Sequence, residues 1–214
     1  MYQFPYSLFG AKAFQPWLAN TRVSGGNTLN GVGQEADWSG GGYWCFELSE
    51  IRVSTDAQHL EWCGLCTEIG DGFTTVEVPV VAGFPMPVGT ATPDTMAFKA
   101  NAAANLAATS IDIKVMTGDA PARGHKMTIN HPLAGARLYS IFSSTALGSG
   151  VYRCKIRPPL REAVAANTVI DFKNLRLVMK VKSTAKDIWP KLMPPYKARP
   201  QILFIEDFSY QNAL

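Results

Sequence analysis

The chain has 214 residues, of which 47% are hydrophobic and only 17% charged. That balance suits one large folded domain or two small ones and excludes a disordered chain or a coiled rod. No apolar run reaches the roughly 18 residues of a spanning helix. Met1–Ala13 lacks a basic segment followed by an apolar stretch, so neither a membrane span nor a secretory leader is expected. The net charge of +3 conceals a division: positions 1–149 carry 8 Lys/Arg against 12 Asp/Glu, whereas 150–199 carry 12 against 3. Opposite signs along one chain suit an anionic partner, such as nucleic acid or a membrane surface, or head-to-tail contact between copies.

In chain order, the turn Gly40-Gly41-Gly42 precedes a strand over Tyr43–Val53. A helix follows, capped by Thr55-Asp56 and stopped by Gly70, with Trp62, Leu65, Cys66 and Ile69 on one stripe. Thr74–Val81 reads as the next strand. Gly83–Thr109 holds Pro85, Pro87 and Pro93 and then an Ala/Asn-rich run, and is expected to be a long arm reaching a neighbour. Ile111–Val115, Tyr152–Arg157 and Arg176–Val181 alternate apolar with polar residues, the period of half-buried strands. Lys126–Asn130 and Arg137–Phe142 are close enough to pair as a hairpin. Pro158-Pro159 ends a strand and launches Leu160–Ala166 elsewhere, towards an adjacent subunit in this reading. The proline-rich Trp189–Pro200 leads to a last strand, Gln201–Phe204. The expected fold is mainly β, a β-sandwich or β-barrel with one packed α-helix at about residues 55–69 and long loop arms. Residues 1–185 form its β-rich domain, and 186–214 a C-terminal extended arm with a terminal strand.

Four cysteines, Cys45, Cys63, Cys66 and Cys154, offer enough thiolates for zinc or an iron–sulfur cluster, and Cys63-x-x-Cys66 has a ligand spacing. Their apolar settings favour unpaired core thiols instead. No His-Glu-x-x-His helix, Walker loop, dinucleotide loop or nucleophile elbow occurs, and neither an enzyme nor a cofactor is expected. Arg153, Lys155 and Arg157 project from one strand, and Arg176, Lys180 and Lys182 from another. If adjacent, those strands form a cationic face, which suits a nucleic-acid-binding β-barrel as one alternative function. A carbohydrate-binding β-sandwich for host attachment is another, with Trp17, Trp38 or Trp189 as stacking platforms.

Several segments, in order, carry a resemblance. They are Leu29-Asn30-Gly31 … Gln34 … Gly42-Tyr43-Trp44, the helix Thr55–Ile69, Gly124–His131, and Arg137-Leu138-Tyr139-Ser140-Ile141. Tyr152–Ala163 is the most distinctive, followed by Val169–Phe172 and Arg176–Val181. Over about residues 20–182 the chain resembles tailed-bacteriophage distal tail proteins, the ring proteins of a siphophage-like tail tip or baseplate. Lys186–Leu214 lies outside the likeness. The resemblance implies a virion structural protein, made in the bacterial host cytoplasm, that forms a ring of copies of itself, a hexamer. The ring would join the tail tube protein to the hub or baseplate protein, with DNA met only as it passes the channel, no membrane and no catalysis. Charge alternation and loop length mark Arg153, Lys155, Arg157 and Arg161, with Met96 and Phe98 in the arm, as expected subunit contacts.

Overall fold

A computed structural model describes residues 2–9, 13–20, 22–27, 33–37, 41–80, 83–189 and 199–210. The protein is mainly β and is built around two separate cores. The first belongs to a six-stranded sheet formed by β1 (Tyr2–Gln3), β2 (Ala13–Ala19), β5 (Tyr43–Ser49), β6 (Thr75–Pro79), β13 (Arg176–Val181) and β14 (Ile202–Glu206). Their spatial order is β1-β6-β13-β14-β5-β2. Pro16 in β2 has no N–H for a ladder, and β2 lies at the sheet's edge, where that loss is tolerated. A separate hairpin joins β3 (Arg22–Asn27) to β4 (Gly33–Asp37).

Helix α2 (Asp56–Ile69) covers one face of the sheet with Trp62, Leu65, Cys66 and Ile69, the stripe anticipated from its periodicity. Its start is a full capping box: the Gln58 backbone N–H donates to Thr55 Oγ1, and Gln58 Oε1 accepts from the Thr55 N–H. Two one-turn helices, α1 (Tyr6–Phe9) and α3 (Ala185–Ile188), pack on the same core, where Phe9 meets Trp62 edge-on and Trp62 Nε1 donates to the Ile188 carbonyl at 2.9 Å.

The second unit is a closed, wholly antiparallel barrel inserted between β6 and β13. Its strands are β7 (Ala97–Ala100), β8 (Ser110–Thr117), β9 (Lys126–His131), β10 (Gly135–Gly148), β11 (Val151–Arg157) and β12 (Val169–Asp171), in the order β10-β11-β8-β7-β12-β9. The interior takes the apolar member of each alternation: Ile111 and Ile113, Met127 and Ile129, Tyr139 and Ile141, Cys154 and Ile156. Strand β10 is a shared wall. Tyr139 and Ile141 point into the barrel, while Leu138 enters the sheet's core and its carbonyl accepts from Trp44 Nε1 at 2.8 Å. Lys126–His131 pairs with Gly135–Ser140 as the expected hairpin.

Three expectations change. The supposed arm Gly83–Thr109 contains β7, and Phe98 and Ala100 fill the barrel. The segment after Pro158-Pro159 returns to the same chain: Leu160 and Val164 are buried in the barrel core, and Ala104 bridges Val164. Two segments read as projecting are therefore partners that close one end of the barrel. The expected terminal strand forms as β14, but it lies inside the sheet between β13 and β5, and α3 packs on the sheet's core; residues 190–198 and 211–214 of the expected arm lie outside the described residues. Gly41 has φ +94, and a Cβ there would stand 2.3 Å from Pro159 Cδ. Glycine thus lets the loop before β5 seat against the Pro-Pro bend.

Candidate functional site

Alternation that buries Ile111, Ile113, Cys154 and Ile156 turns Asp112, Lys114, Arg153, Lys155 and Arg157 outward. Register places Arg153 opposite Asp112, and Lys114 opposite both Val151 on β11 and Lys99 on β7. The outcome is a wall of five cations and one carboxylate across β7, β8 and β11. Arg153 grips Asp112 with two bonds, Nε to Oδ1 at 2.8 Å and Nη2 to Oδ2 at 2.9 Å. The guanidinium holds the Asp112 carboxyl below its usual range, and the carboxylate holds Arg153 above its own. Lys114, Lys155 and Arg157 are exposed and have no ion-pair partner among the described residues. In the ring of strands β8 stands opposite β9, whose Thr128 exchanges hydrogen bonds with the backbone of Arg176 on β13. The cationic wall is therefore the side of the barrel away from the sheet.

Beside it, β10 and β11 run on as a hairpin. The second half of β10 loses its burial after Ile141, where a bulge at Phe142 shifts the register. Phe142, Leu147 and nearby Met116 of β8 remain exposed, at 43%, 50% and 53%.

Arg161 has a different post. Its guanidinium donates to both oxygens of Glu206, at 3.0 and 3.2 Å, reaches the Gly42 carbonyl, and lies 4.6 Å over the Phe208 ring. Arg137 approaches the same carboxylate at 3.5 Å and donates to the Ala134 carbonyl at 2.8 Å; Glu206 also accepts from the Trp44 N–H. Burial pulls Arg137 down, with Glu206 opposing. One end of this clasp is in β10 and the other in β14, so it fastens the barrel to the sheet. A cleft of about 380 Å³ opens above it, lined by Leu106, Leu133, Phe208 and Tyr210. Next to the clasp, His131 Nε2 and Tyr139 Oη are 2.8 Å apart, and Tyr139 Oη accepts from the Arg161 N–H. Burial first of all brings His131 down to about 4, with Glu162 opposing and Arg137 reinforcing.

The other sequence candidates are dispersed. Phe98 is 2% exposed, stacked edge-on with Phe172 inside the barrel, so it is closed to any neighbour. Met96 is half-buried against the same core. Arg176, Lys180 and Lys182 belong to the sheet and not to the barrel, so the two basic strands make no common face; Arg176 pairs with Glu77 at 3.1 Å and Lys180 lies 4.0 Å from Asp207. Cys154 is in the barrel, Cys45 on the sheet, and Cys63 and Cys66 on α2. Burial pushes Cys66 up to about 12 and Cys154 to about 11, which keeps them as thiols. Among the described residues no three His, Cys, Asp or Glu side chains converge as metal ligands. Trp17 lies half-buried on β2 and Trp189 is exposed after α3, while Trp38 lies outside the described residues. No helix among the described residues is long and apolar enough to cross a membrane.

Sequence reasoning overlooked Glu206 as the clasp's carboxylate, because its partners are 45 and 69 residues away. It also left Lys99 and Lys114 out of the basic set, although the alternation of Ile111–Val115 already turned Lys114 outward. The fold and its surfaces define a two-lobed β protein, a helix-backed sheet carrying a closed barrel. No protein-family model matches the chain, and no curated protein matches it in sequence.

Proposed function

We propose that this chain is a structural subunit of a phage tail tip, a distal-tail-type protein whose copies close into a ring between tube and hub. The observation that carries the reading is the pair of lobes locked through the buried Arg137–Glu206–Arg161 clasp and the shared strand β10. A subunit of a closed ring must hold its contact surfaces at a constant angle, because a small angular error per copy accumulates around the circle. Two lobes joined by an ordinary linker would swing; a strand common to both cores, with a charge pair inaccessible to water, resists that. The unpaired cations Lys155 and Arg157 and the apolar hairpin beside them supply an exposed surface for a neighbour. In this reading catalysis has no part, and the protein acts through assembly geometry within the virion.

The test is the mass and shape of the purified full chain, by light scattering and negative-stain imaging, alone and mixed with tail tube and hub proteins. Rings of uniform diameter, six copies by the family resemblance, are expected. A particle that stays monomeric alone and beside those partners overturns the proposal.

A further inference from the structure

The exposed side of α2 carries the opposite charge to the barrel wall. With Trp62, Leu65, Cys66 and Ile69 facing inward, the helix turns Ala57, Leu60, Glu61, Gly64, Thr67 and Glu68 to water. Asp56 precedes that stripe, and Asp71 follows it in a turn where its Oδ1 accepts the N–H groups of Phe73 and Thr74. Between Arg52 and Lys99 the sequence has no lysine or arginine. Glu61 and Glu68 have no ion-pair partner among the described residues. The stripe is also unusually apolar for a charged surface: Leu60 is 71% and Phe73 87% exposed.

We infer that this acidic helix face docks on the cationic β8–β11 wall of a second copy, so that each subunit presents one of each. Three features support the pairing. The charges are complementary and, apart from Arg153, which Asp112 holds, unspent within the chain, so bringing Lys114, Lys155 and Arg157 to the glutamates gains attraction with no internal pair to break. The rows also have similar reach: Glu61 and Glu68 are two helical turns apart, about 10 Å, while the unpaired Lys114, opposite Val151, and Lys155 stand four residues apart along β11, about 13 Å. Both patches are flanked by exposed apolar side chains, Leu60 and Phe73 on one, and on the other Met116, which lies two residues after Lys114 on the same face of β8. Those can be buried together and supply the area term that charge alone lacks. The acidic stripe belongs to the sheet lobe and the basic wall to the far side of the barrel. The contact is thus heterologous, and it repeats until it closes. A nucleic-acid strand is the less suited occupant, because the wall offers no exposed aromatic between its cations: Tyr152 packs on the barrel core.

This inference rests on the ring reading and names its two faces. The experiment compares the full chain by sedimentation velocity as wild type, as Glu61→Lys/Glu68→Lys, as Lys155→Glu/Arg157→Glu, as an equimolar mixture of those two variants, and with all four changes. Each pair alone is expected to weaken self-association at least tenfold. The mixture and the fourfold variant restore it, because every contact again meets an opposite charge. Should a reversal lower the melting temperature, Lys155→Gln/Arg157→Gln and Glu61→Gln/Glu68→Gln take its place, with a smaller loss expected because neutral side chains remove attraction without adding repulsion, and with the mixture test kept for the reversals alone. If the wild type assembles yet either pair leaves assembly unchanged, or the mixture fails to reassemble, the docking is wrong while the ring reading stands. A wild type monomeric at every concentration overturns the docking, and it overturns the ring reading as well only if the chain also stays monomeric beside the tail tube and hub proteins. Salt-sensitive binding of a single-stranded oligodeoxynucleotide that Lys155→Glu/Arg157→Glu abolishes, without loss of assembly, assigns the wall to phosphates and overturns the docking.

Discussion

The barrel and the sheet solve the problem of exposed strand edges in opposite ways. The barrel draws all six strands from residues 97–171 and pairs each with two neighbours, so no edge remains. The sheet collects strands from Tyr2 to Glu206, leaves β1 and β2 as edges, and packs α2 on one face, while Cys45 and Val178 of the other face are buried as well. The barrel is consequently a local, self-sufficient element, whereas the sheet is complete only after the chain returns from building it. What joins them is narrow and deeply buried: β10, Leu138, Trp44 and the clasp on Glu206. An insertion becomes a rigid lobe when it shares a strand and a desolvated ion pair with its host.

The most severe way to break that union is Glu206→Gln. It leaves two buried guanidiniums without a carboxylate, and removing one partner of such a group costs about 3–5 kcal/mol. Denaturant unfolding should show that loss and separate into a sheet transition and a barrel transition. A single transition at the wild-type midpoint would mean that the clasp couples nothing.

Acid sharpens the comparison from the barrel side. His131 is buried and neutral, with its proton affinity reduced from 6.5 to about 4. Between those values the unfolded chain binds a proton that the folded chain refuses. Stability is thus fully present above pH 6.5, falls as pH drops through the window, and levels off below about 4. The contribution is roughly 3 kcal/mol. His131→Gln, which keeps a partner for Tyr139 Oη, should flatten this part of the stability–pH curve. An unchanged slope would assign the acid sensitivity to another group.

The smallest effect probes the sheet side. Thr55→Ala removes the capping hydroxyl of α2 and should cost about 1 kcal/mol, read as a shift in the denaturant midpoint. Because the cap is exposed and remote from the clasp, the unfolding should stay a single transition. A split here would show that the helix, and not Glu206, sets the coupling.

Where the determinants are local, the chain reads clearly. Thr55 and Gly70 delimit α2, and the Trp62–Leu65–Cys66–Ile69 stripe names its buried face, because a 3.6-residue period and capping chemistry need only neighbours in sequence. Likewise the alternations at Ile111–Val115 and Tyr152–Arg157 name the barrel's inside and its cationic outside. The short strands β7 and β12 escape such reading, since four and three residues carry no period and are strands only because the barrel must close.

Sequence by itself thus determined the class, a mainly β chain with one amphipathic helix, and the sign of the surface on each segment. Tertiary structure alone decided which segments meet: that Leu160–Ala166 folds back against residues 101–109, that β11 and β13 lie in different sheets, and that Arg161 is spent on Glu206. The physical reason is that side-chain periodicity is set by backbone geometry within a few residues, whereas strand partners and buried ion pairs are chosen by closure of the whole fold.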